Sequence, residues 1–204
     1  MMIETKKRSA QRTLERILQA AMLHFSQHSY EGARLRDIAA DAGVDVAHVH
    51  RSFGSKEELF ASTLEAAFDS RFEEALAAPD LPTSLTAGFF EPRLDPKLGI
   101  IDPMDIVVRS LGNERAEPVL REFVRRRFLN PLTERLGHAR PERVAMILAC
   151  FCGLAVFDDM LAIGRLDRNG RDRLRGLLEQ ILRLCLEDDH GDAPVSFGEA
   201  RHEA

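Results

Sequence analysis

Residues 37–56 read DIAADAGVDVAHVHRSFGSK, and how this stretch folds decides the reading of the whole chain. Leu35, Ile38 and Ala39 recur at helical spacing. Gly43 follows, the residue type that accepts positive φ just past a helix end. Val44 packs the turn. Asp45 can then accept a backbone N–H at the start of a second helix. The pattern predicts helices from Leu35 to Ala42 and from Val46 to about Ser52, joined by a tight turn. After Phe53, Ser55 and Glu58 stand at the spacing of a capping box that opens a longer helix. A helix-turn-helix is built this way, and the small exposed face of its second helix fits the major groove of duplex DNA.

Outward from this unit the chain reads as helices. Toward the N-terminus, Leu14, Ile17, Leu18, Ala21, Met22 and Phe25 recur on one face of a helix from Ser9 to Gln27, with Ser9 as its N-cap. Met1 to Arg8 is polar and is expected to fray. Toward the C-terminus, Leu59, Phe60, Leu64, Ala67, Phe68, Phe72 and Leu76 place one long helix from Lys56 to Ala78, ended by Pro79. Pro79 to Pro82 reads as a joint between domains. One short helix and a loop are expected over 84–99. Further helices are expected at 103–111, 118–129, 131–136, 141–163 and 171–186, each of the first four opened or kinked by a proline. The tail from Gly191 is small and polar and is expected to be disordered. No sustained alternation of apolar and polar residues occurs, so the fold class is all-α.

Composition agrees with a globular helical protein. The 204 residues are 45% hydrophobic and 30% charged, with 6% aromatics. The net charge of −5 does not favour phosphate binding, but its distribution does: the basic excess lies in Lys6-Lys7-Arg8, Arg12 and Arg16, and the acidic excess in Glu187-Asp188-Asp189 and beyond. Cys150, Cys152 and Cys185 read as free buried thiols of a reducing compartment. The N-terminus lacks an apolar signal core, and the longest apolar run, Val144 to Phe157, is shorter than the roughly 20 residues a bilayer needs. A cytoplasmic protein without a membrane partner is expected.

Thr13, Arg16-Ile17-Leu18, Ala20-Ala21, Phe25, Tyr30-Glu31-Gly32, Asp37-Ile38-Ala39, Ala42-Gly43-Val44, Phe53 and Ser55-Lys56-Glu57-Glu58-Leu59-Phe60 resemble the N-terminal signature of the tetracycline-repressor (TetR) family. The resemblance covers roughly the first third of the chain, in register and without gaps. It implies a homodimer, with an N-terminal helix-turn-helix domain (residues 9–56), a linking helix (57–78) and a C-terminal domain (79–190) that binds a small molecule and dimerises through its last two helices. The disordered tail would be 191–204. Four positions depart from the family pattern: Ser29 stands for Gly, Ala33 and Arg34 for Thr and Ser/Thr, Asp45 for Ser/Thr, and His50 for Tyr. Arg34 cannot cap a helix but can reach phosphate, Asp45 caps but repels phosphate, and His50 donates to phosphate best when protonated.

On this reading Val46, Ala47, His48, His50 and Arg51 face the groove. Arg51 is placed at guanine or phosphate, His48 at a base edge, and Val46 or Ala47 at a thymine methyl. Arg34, Arg36, Asp45 and Lys56 complete the DNA-binding set, Lys56 as a backbone clamp. Lys6, Lys7 and Arg8 read equally as a DNA arm or a solvated tail. Phe89, Phe90, Met104, Val108 and Leu111, with Phe123, Phe128, Phe151 and Phe157, belong to the central helices, and some of them are expected to line a pocket. For the dimer face, Ala149 and Gly153 are small enough for close helix approach. They would meet a stripe of Leu174, Leu178, Ile181 and Cys185, with Leu177 and Leu184 beside it.

Other clusters read as structural. His24 and His28 have a zinc-compatible spacing but no third ligand nearby. Cys150 and Cys152 diverge on a helix. Arg121 and Arg125-Arg126-Arg127 read as a solvated face. Asp158-Asp159 diverge by about 100° and cannot share one substrate atom. No nucleophile–base pair, phosphate loop, metal set or cofactor site is found, and no enzyme is expected. Two readings stay open. One is a repressor released from a palindromic operator by a small molecule. The other is a helical ligand-binding or scaffold dimer that has lost operator binding.

Overall fold

The computed structural model describes residues 2–68, 70–91, 94–95, 99–100, 102–137, 141–157 and 166–186. Four helices form the N-terminal part: α1 (Met2–Gln27), α2 (Leu35–Asp41), α3 (Val46–Phe53) and α4 (Lys56–Ala67). Then follow α5 (Arg71–Ala77), α6 (Leu81–Phe90), α7 (Pro103–Ser110), α8 (Glu117–Val124), α9 (Asn130–Leu136), α10 (Pro141–Ala155) and α11 (Arg168–Leu186). The one paired-strand element among the described residues is a two-residue antiparallel pair, Leu94–Asp95 against Gly99–Ile100. The class remains all-α.

Local chemistry sets the helix ends as expected. Asp45 Oδ1 accepts from His48 N at 2.5 Å, and the Ser55/Glu58 capping box forms in both directions. Gly43 takes φ 65° between α2 and α3, and Val44 N donates back to Ala39 O at 2.9 Å. Gly54 takes φ 82° just ahead of α4, and a Cβ there would fall 2.1 Å from Glu58 Oε2. Only glycine lets the capping box close at that point.

Four expectations are corrected. First, the segment before Ser9 does not fray: α1 runs back to Met2. It contains neither proline nor glycine, so nothing in it stops the helix. Second, the single helix expected from Lys56 to Ala78 is broken. Phe68 is extended (φ −93°, ψ 112°). Its ring packs on Phe123 and Phe128, at centroid distances of 5.2 and 5.4 Å. The carbonyl freed by the break accepts from Arg127 Nη2 at 3.1 Å.

Third, Arg127 is therefore not a solvated residue; it also pairs with Glu73 at 2.7 Å. Its neighbours do stay on the surface, with Arg121 on Glu117, Arg125 on Glu122 and Arg126 on Glu65. Fourth, residues 117–136 run on without a stop at Pro131. A π-helical turn at Arg125–Leu129 takes up the missing N–H and the ring of that proline. The C-terminal part of the helix expected at 141–163, the Asp158-Asp159 pair and the tail lie outside the described residues.

Two cores result. The first joins α1–α4 to α7 and α8 through Ile17, Phe25, Leu59, Phe60, Ile106 and Phe123. The second joins α5, α6, α9, α10 and α11 through Leu85, Leu132, Ile147, Leu178 and Leu182. The expected boundary at Pro79–Pro82 does not divide the packing: α7 and α8 belong to the N-terminal core.

Candidate nucleic-acid interface and ligand cavity

Val49 is the buried peg of α3 and sits in the first core, with Val46 and Phe53 packed beside it. The rest of that helix points outward. Ala47, His50 and Arg51 are exposed and His48 is half-buried. Arg34, Arg36 and Asp45 are exposed around the same unit. Arg34 occupies the N-cap of α2 without a side-chain cap bond.

The exposed side chains are held by weak or local bonds. Arg51 Nη2 lies 3.8 Å from Asp45 Oδ1 on the surface, a pairing too loose and wet to hold it from a phosphate or base. His50 Nδ1 donates to Gly54 O at 2.8 Å, which leaves Nε2 as the outward atom. That atom donates to a phosphate oxygen only in the protonated ring.

Lys56 opens α4 with its Nζ 4.5 Å from the centre of the Tyr30 ring, a cation–π seat. Partial burial lowers the pKa of this ammonium, against the pull of Glu31. Tyr30 itself closes a node with Phe25 and Phe60, at centroid distances of 6.0 and 5.2 Å. Burial, then the Glu57 carboxylate, push its hydroxyl well above its usual value.

Two arrangements escape the sequence reading, the first of them in its geometry though not in its charge. The first is a row of arginines on α1. Arg8, Arg12 and Arg16 recur every four residues, are exposed, and share one shallow groove with Ser9 and Thr13. Arg16 Nη1 lies 3.4 Å from where a Cβ on Gly43 would stand, so the row starts at the helix-turn-helix turn. None of the three pairs with a described carboxylate. A row of this kind suits a phosphate backbone. In the double variant Arg8→Ala/Arg12→Ala the slope of log affinity for DNA against log salt is expected to fall by about 2–4 units per dimer. Base preference should not change. A salt series with an unchanged slope would remove the row from the interface.

The second feature is a tie between the two halves of the molecule. Arg115 Nε and Nη2 reach Glu57 Oε1 at 2.8 and 2.7 Å, and Asn113 Nδ2 donates to Glu31 at 3.4 Å. The loop between α7 and α8 thereby grips both sides of Lys56. The Glu57 backbone N–H, with Arg115, holds that carboxyl below the usual carboxylate range. These partners lie 58 and 82 residues apart in sequence, and no local signal marks them.

A cavity of about 110 Å³ opens between α5, α6, α7 and α10. Phe89, Met104, Phe128 and Phe151 line it, joined by Phe68 and Phe72 from the α4–α5 joint. Four of the expected liners stand elsewhere. Val108 and Phe123 are buried in packing, Phe123 in the first core. Leu111 and Phe157 are each 57% exposed. Apolar spacing cannot separate a cavity wall from a core or an open face. Phe90 packs beside the second core.

The last two helices carry an apolar face that no described residue covers. Met146 on α10 and Leu177, Ile181 and Leu184 on α11 are exposed. Ala149 is also exposed, and a Cβ on Gly153 would meet nothing within 4 Å. Leu178, expected on that face, is instead 2% exposed and packs inward with Leu182, and Cys185 and Leu174 are half-buried. The stripe therefore lies a step round the helix from its expected place. Away from these sites, His24 Nε2 bonds Asp41 at 2.7 Å and ties α1 to α2. Among the described residues, no helix is long and apolar enough to cross a membrane.

Comparison with known proteins matches two family models to the chain, divided by sequence rather than by the two cores. Residues 17–63 match the family model for bacterial regulatory proteins of the tetR family. Residues 80–186, more than half of the chain, match the model for the tetracyclin repressor-like C-terminal domain. The HTH-type transcriptional repressor SCO4008 of Streptomyces coelicolor is 41% identical over 58 residues, which is 28% of this chain and 30% of that protein. The chain thus matches less than a third of that relative's length.

Among solved structures, a transcriptional regulator from Rhodococcus sp. Rha1 superposes with a TM-score of 0.60 at 22% identity, over 85% of this chain and 95% of the other. A TetR-family regulator from Streptomyces coelicolor A3 gives a TM-score of 0.55 at 22% identity, over 87% and 96%. These two likenesses concern the fold. With its N-terminal unit and its larger helical domain both matched, the chain belongs to the tetracycline-repressor (TetR) family of transcriptional regulators.

Proposed function

We propose that this regulator is a cytoplasmic homodimeric repressor that binds a palindromic operator and leaves it when a small molecule fills the cavity. The observation that carries the reading is the place of the cavity: Phe68 and Phe72 of its wall form the joint that ends α4, and α4 begins at Lys56, beside the reading helix. Met104 and Val107, also in the wall, belong to α7, whose end leads into the loop that grips Glu31 and Glu57. A ligand that spreads this wall acts on the DNA-facing unit at both ends. Two reading helices fit successive major grooves only at a separation of about 34 Å or its multiples. A small pivot of each subunit therefore weakens both half-sites together. The ligand must bind the DNA-incompetent arrangement better than the competent one.

Ala47, His50 and Arg51 supply the groove-facing side chains on this reading, and Arg34, Arg36 and Lys56 the backbone contacts. Arg51→Ala is expected to weaken binding to a site selected from random duplexes by about tenfold or more. Its base preference should relax, while dimer mass and melting stay as they were. Unchanged affinity would move the docking face elsewhere. The lack of any complex at low salt would favour a dimer that no longer binds operators.

A further inference from the structure

Four charged side chains meet at the start of α4, and their charges balance. Lys56 and Arg115 are the cations, Glu31 and Glu57 the acids. Lys56 Nζ stands over the Tyr30 ring at 4.5 Å, and no described carboxylate lies within ion-pair distance of it. Both acids are instead held from the other half of the molecule. Arg115 places two nitrogens on Glu57 Oε1, at 2.8 and 2.7 Å. Asn113 Nδ2 donates to Glu31 Oε1 at 3.4 Å. The α7–α8 loop is shaped to deliver these groups. Asn113 Oδ1 accepts from Arg115 N at 3.1 Å and from Ala116 N at 3.0 Å. Ala116 is fully buried in the first core, so the loop is pinned one residue beyond Arg115.

The exposure of the pair decides what it can do. Arg115 is 62% exposed and Glu57 28%. An ion pair so wet adds little to stability, because water screens it and two long side chains must be ordered. Its effect on a neighbouring charge is larger. A lysine on a DNA backbone works through its full positive charge, and each phosphate it neutralises releases roughly one counterion. A free carboxylate beside that lysine competes with the phosphate for it. Burial is the main cause of the lowered pKa of Lys56; after it, Glu31 pulls the value up, Arg115 pushes it down and Glu57 pulls it up. The acids and the guanidinium therefore act on one ammonium with opposed signs.

We propose that Arg115, although it belongs to the C-terminal domain, is a positioning residue for DNA binding: by occupying the Glu57 carboxylate it leaves the Lys56 ammonium free to neutralise a DNA phosphate. The inference rests on the proposed backbone contact of Lys56. Arg115 acts through that side chain and touches no nucleotide. The tie between the two halves thereby acquires a sign, since withdrawal of Arg115 from Glu57 lowers affinity for DNA at this contact.

The test is a double-mutant cycle on the full chain. It is read by gel-shift titration over a salt series, with the duplex selected from random sequence. Lys56→Ala should lower the slope of log affinity against log salt by about 2 units per dimer, one phosphate in each subunit. Arg115→Gln should weaken binding by about tenfold and lower the slope in the same sense. Adding Glu57→Gln to Arg115→Gln should restore affinity to within about threefold of the parent, and Arg115→Lys should keep most of it. In the Lys56→Ala background Arg115→Gln should cost less than about threefold, because the side chain it serves is gone. Glu57→Gln alone should bind as tightly as the parent or tighter, and it decides if Arg115→Gln does not fold.

Full affinity in Arg115→Gln overturns the inference. So does a loss that Glu57→Gln fails to repair, which would make Arg115 a DNA contact itself or a structural tie. Weaker binding by Glu57→Gln alone overturns it, as does an undiminished cost of Arg115→Gln in the Lys56→Ala background. An unchanged salt slope in Lys56→Ala removes Lys56 from the backbone and the inference with it. The lack of any wild-type complex at low salt is a different result: it overturns operator binding itself, and every reading built on it.

Discussion

Ile181→Glu is expected to convert a dimer into well-folded monomers and to reduce operator binding by about a hundredfold or more. The argument starts from which face of α11 the subunit already uses. Leu178 and Leu182 are buried in the second core, and they hold the helix in place. Ile181, Leu177 and Leu184 point away, Leu184 at 69% exposed. Burying a large apolar side chain is worth about 1.5–3 kcal/mol, so three per subunit, with Met146, supply enough to offset the cost of association.

In the proposed two-fold dimer the same patch of each subunit faces the other, so Ile181→Glu places two carboxylates in one apolar seam. Breaking such an interface with an unpaired buried charge costs about 3–5 kcal/mol. The monomer then offers one reading helix where the proposed palindromic operator has two half-sites. Sedimentation gives the mass, circular dichroism the fold, and a gel-shift titration the affinity. Leu182→Ala serves as the contrast, since it should destabilise the subunit itself by about 2–5 kcal/mol. A dimer that survives Ile181→Glu would place the interface on another face.

How much of this was legible in the sequence follows from the range of the interactions. Asp45 to His48, Ser55 to Glu58 and Ala39 to Val44 are bonds made within five residues. The caps and turn of the helix-turn-helix could therefore be read directly, and the all-α class with them. The break at Phe68 could not. It depends on Phe123, Phe128 and Arg127, about sixty residues away, and the local apolar pattern through Phe68 and Phe72 continues as if the helix did. The same limit hid Arg115 and Asn113, whose partners lie across the molecule.

The stripe on α11 failed for another reason. Leu174, Leu177, Leu178, Ile181, Leu182, Leu184 and Cys185 make the helix apolar on two adjoining faces, so periodicity cannot tell the core side from the open side. Phe123 is a parallel case: it looks like a pocket residue by type and lies in the core by topology. The row of Arg8, Arg12 and Arg16 was visible as charge but not as geometry, because its regular spacing matters only once α1 is known to extend back to Met2.

Filling the cavity should separate ligand binding from DNA binding. Gly88 lines the cavity from α6, and a Cβ added there meets nothing within 4 Å. Gly88→Leu would therefore enter open space rather than push on a neighbour. Its side chain occupies much of an enclosure of about 110 Å³. Replacing glycine inside a helix also removes a penalty of about 0.5–1 kcal/mol, and the added methyl groups bury apolar area against Phe89 and Phe151. The melting temperature is expected to rise.

Because α6 belongs to the second core and the reading unit to the first, affinity for the operator should stay within about twofold of the parent, less than 0.5 kcal/mol. The ligand should lose most of its affinity, since leucine now stands where its apolar body would lie. Repression would persist at ligand concentrations that release the parent protein. Thermal melting, calorimetry and a gel shift with and without a small molecule that binds the parent cavity measure these three outcomes separately. Undiminished release of Gly88→Leu by that molecule would mean that the effector binds outside this cavity, and the joint at Phe68 would then lose its place in the mechanism.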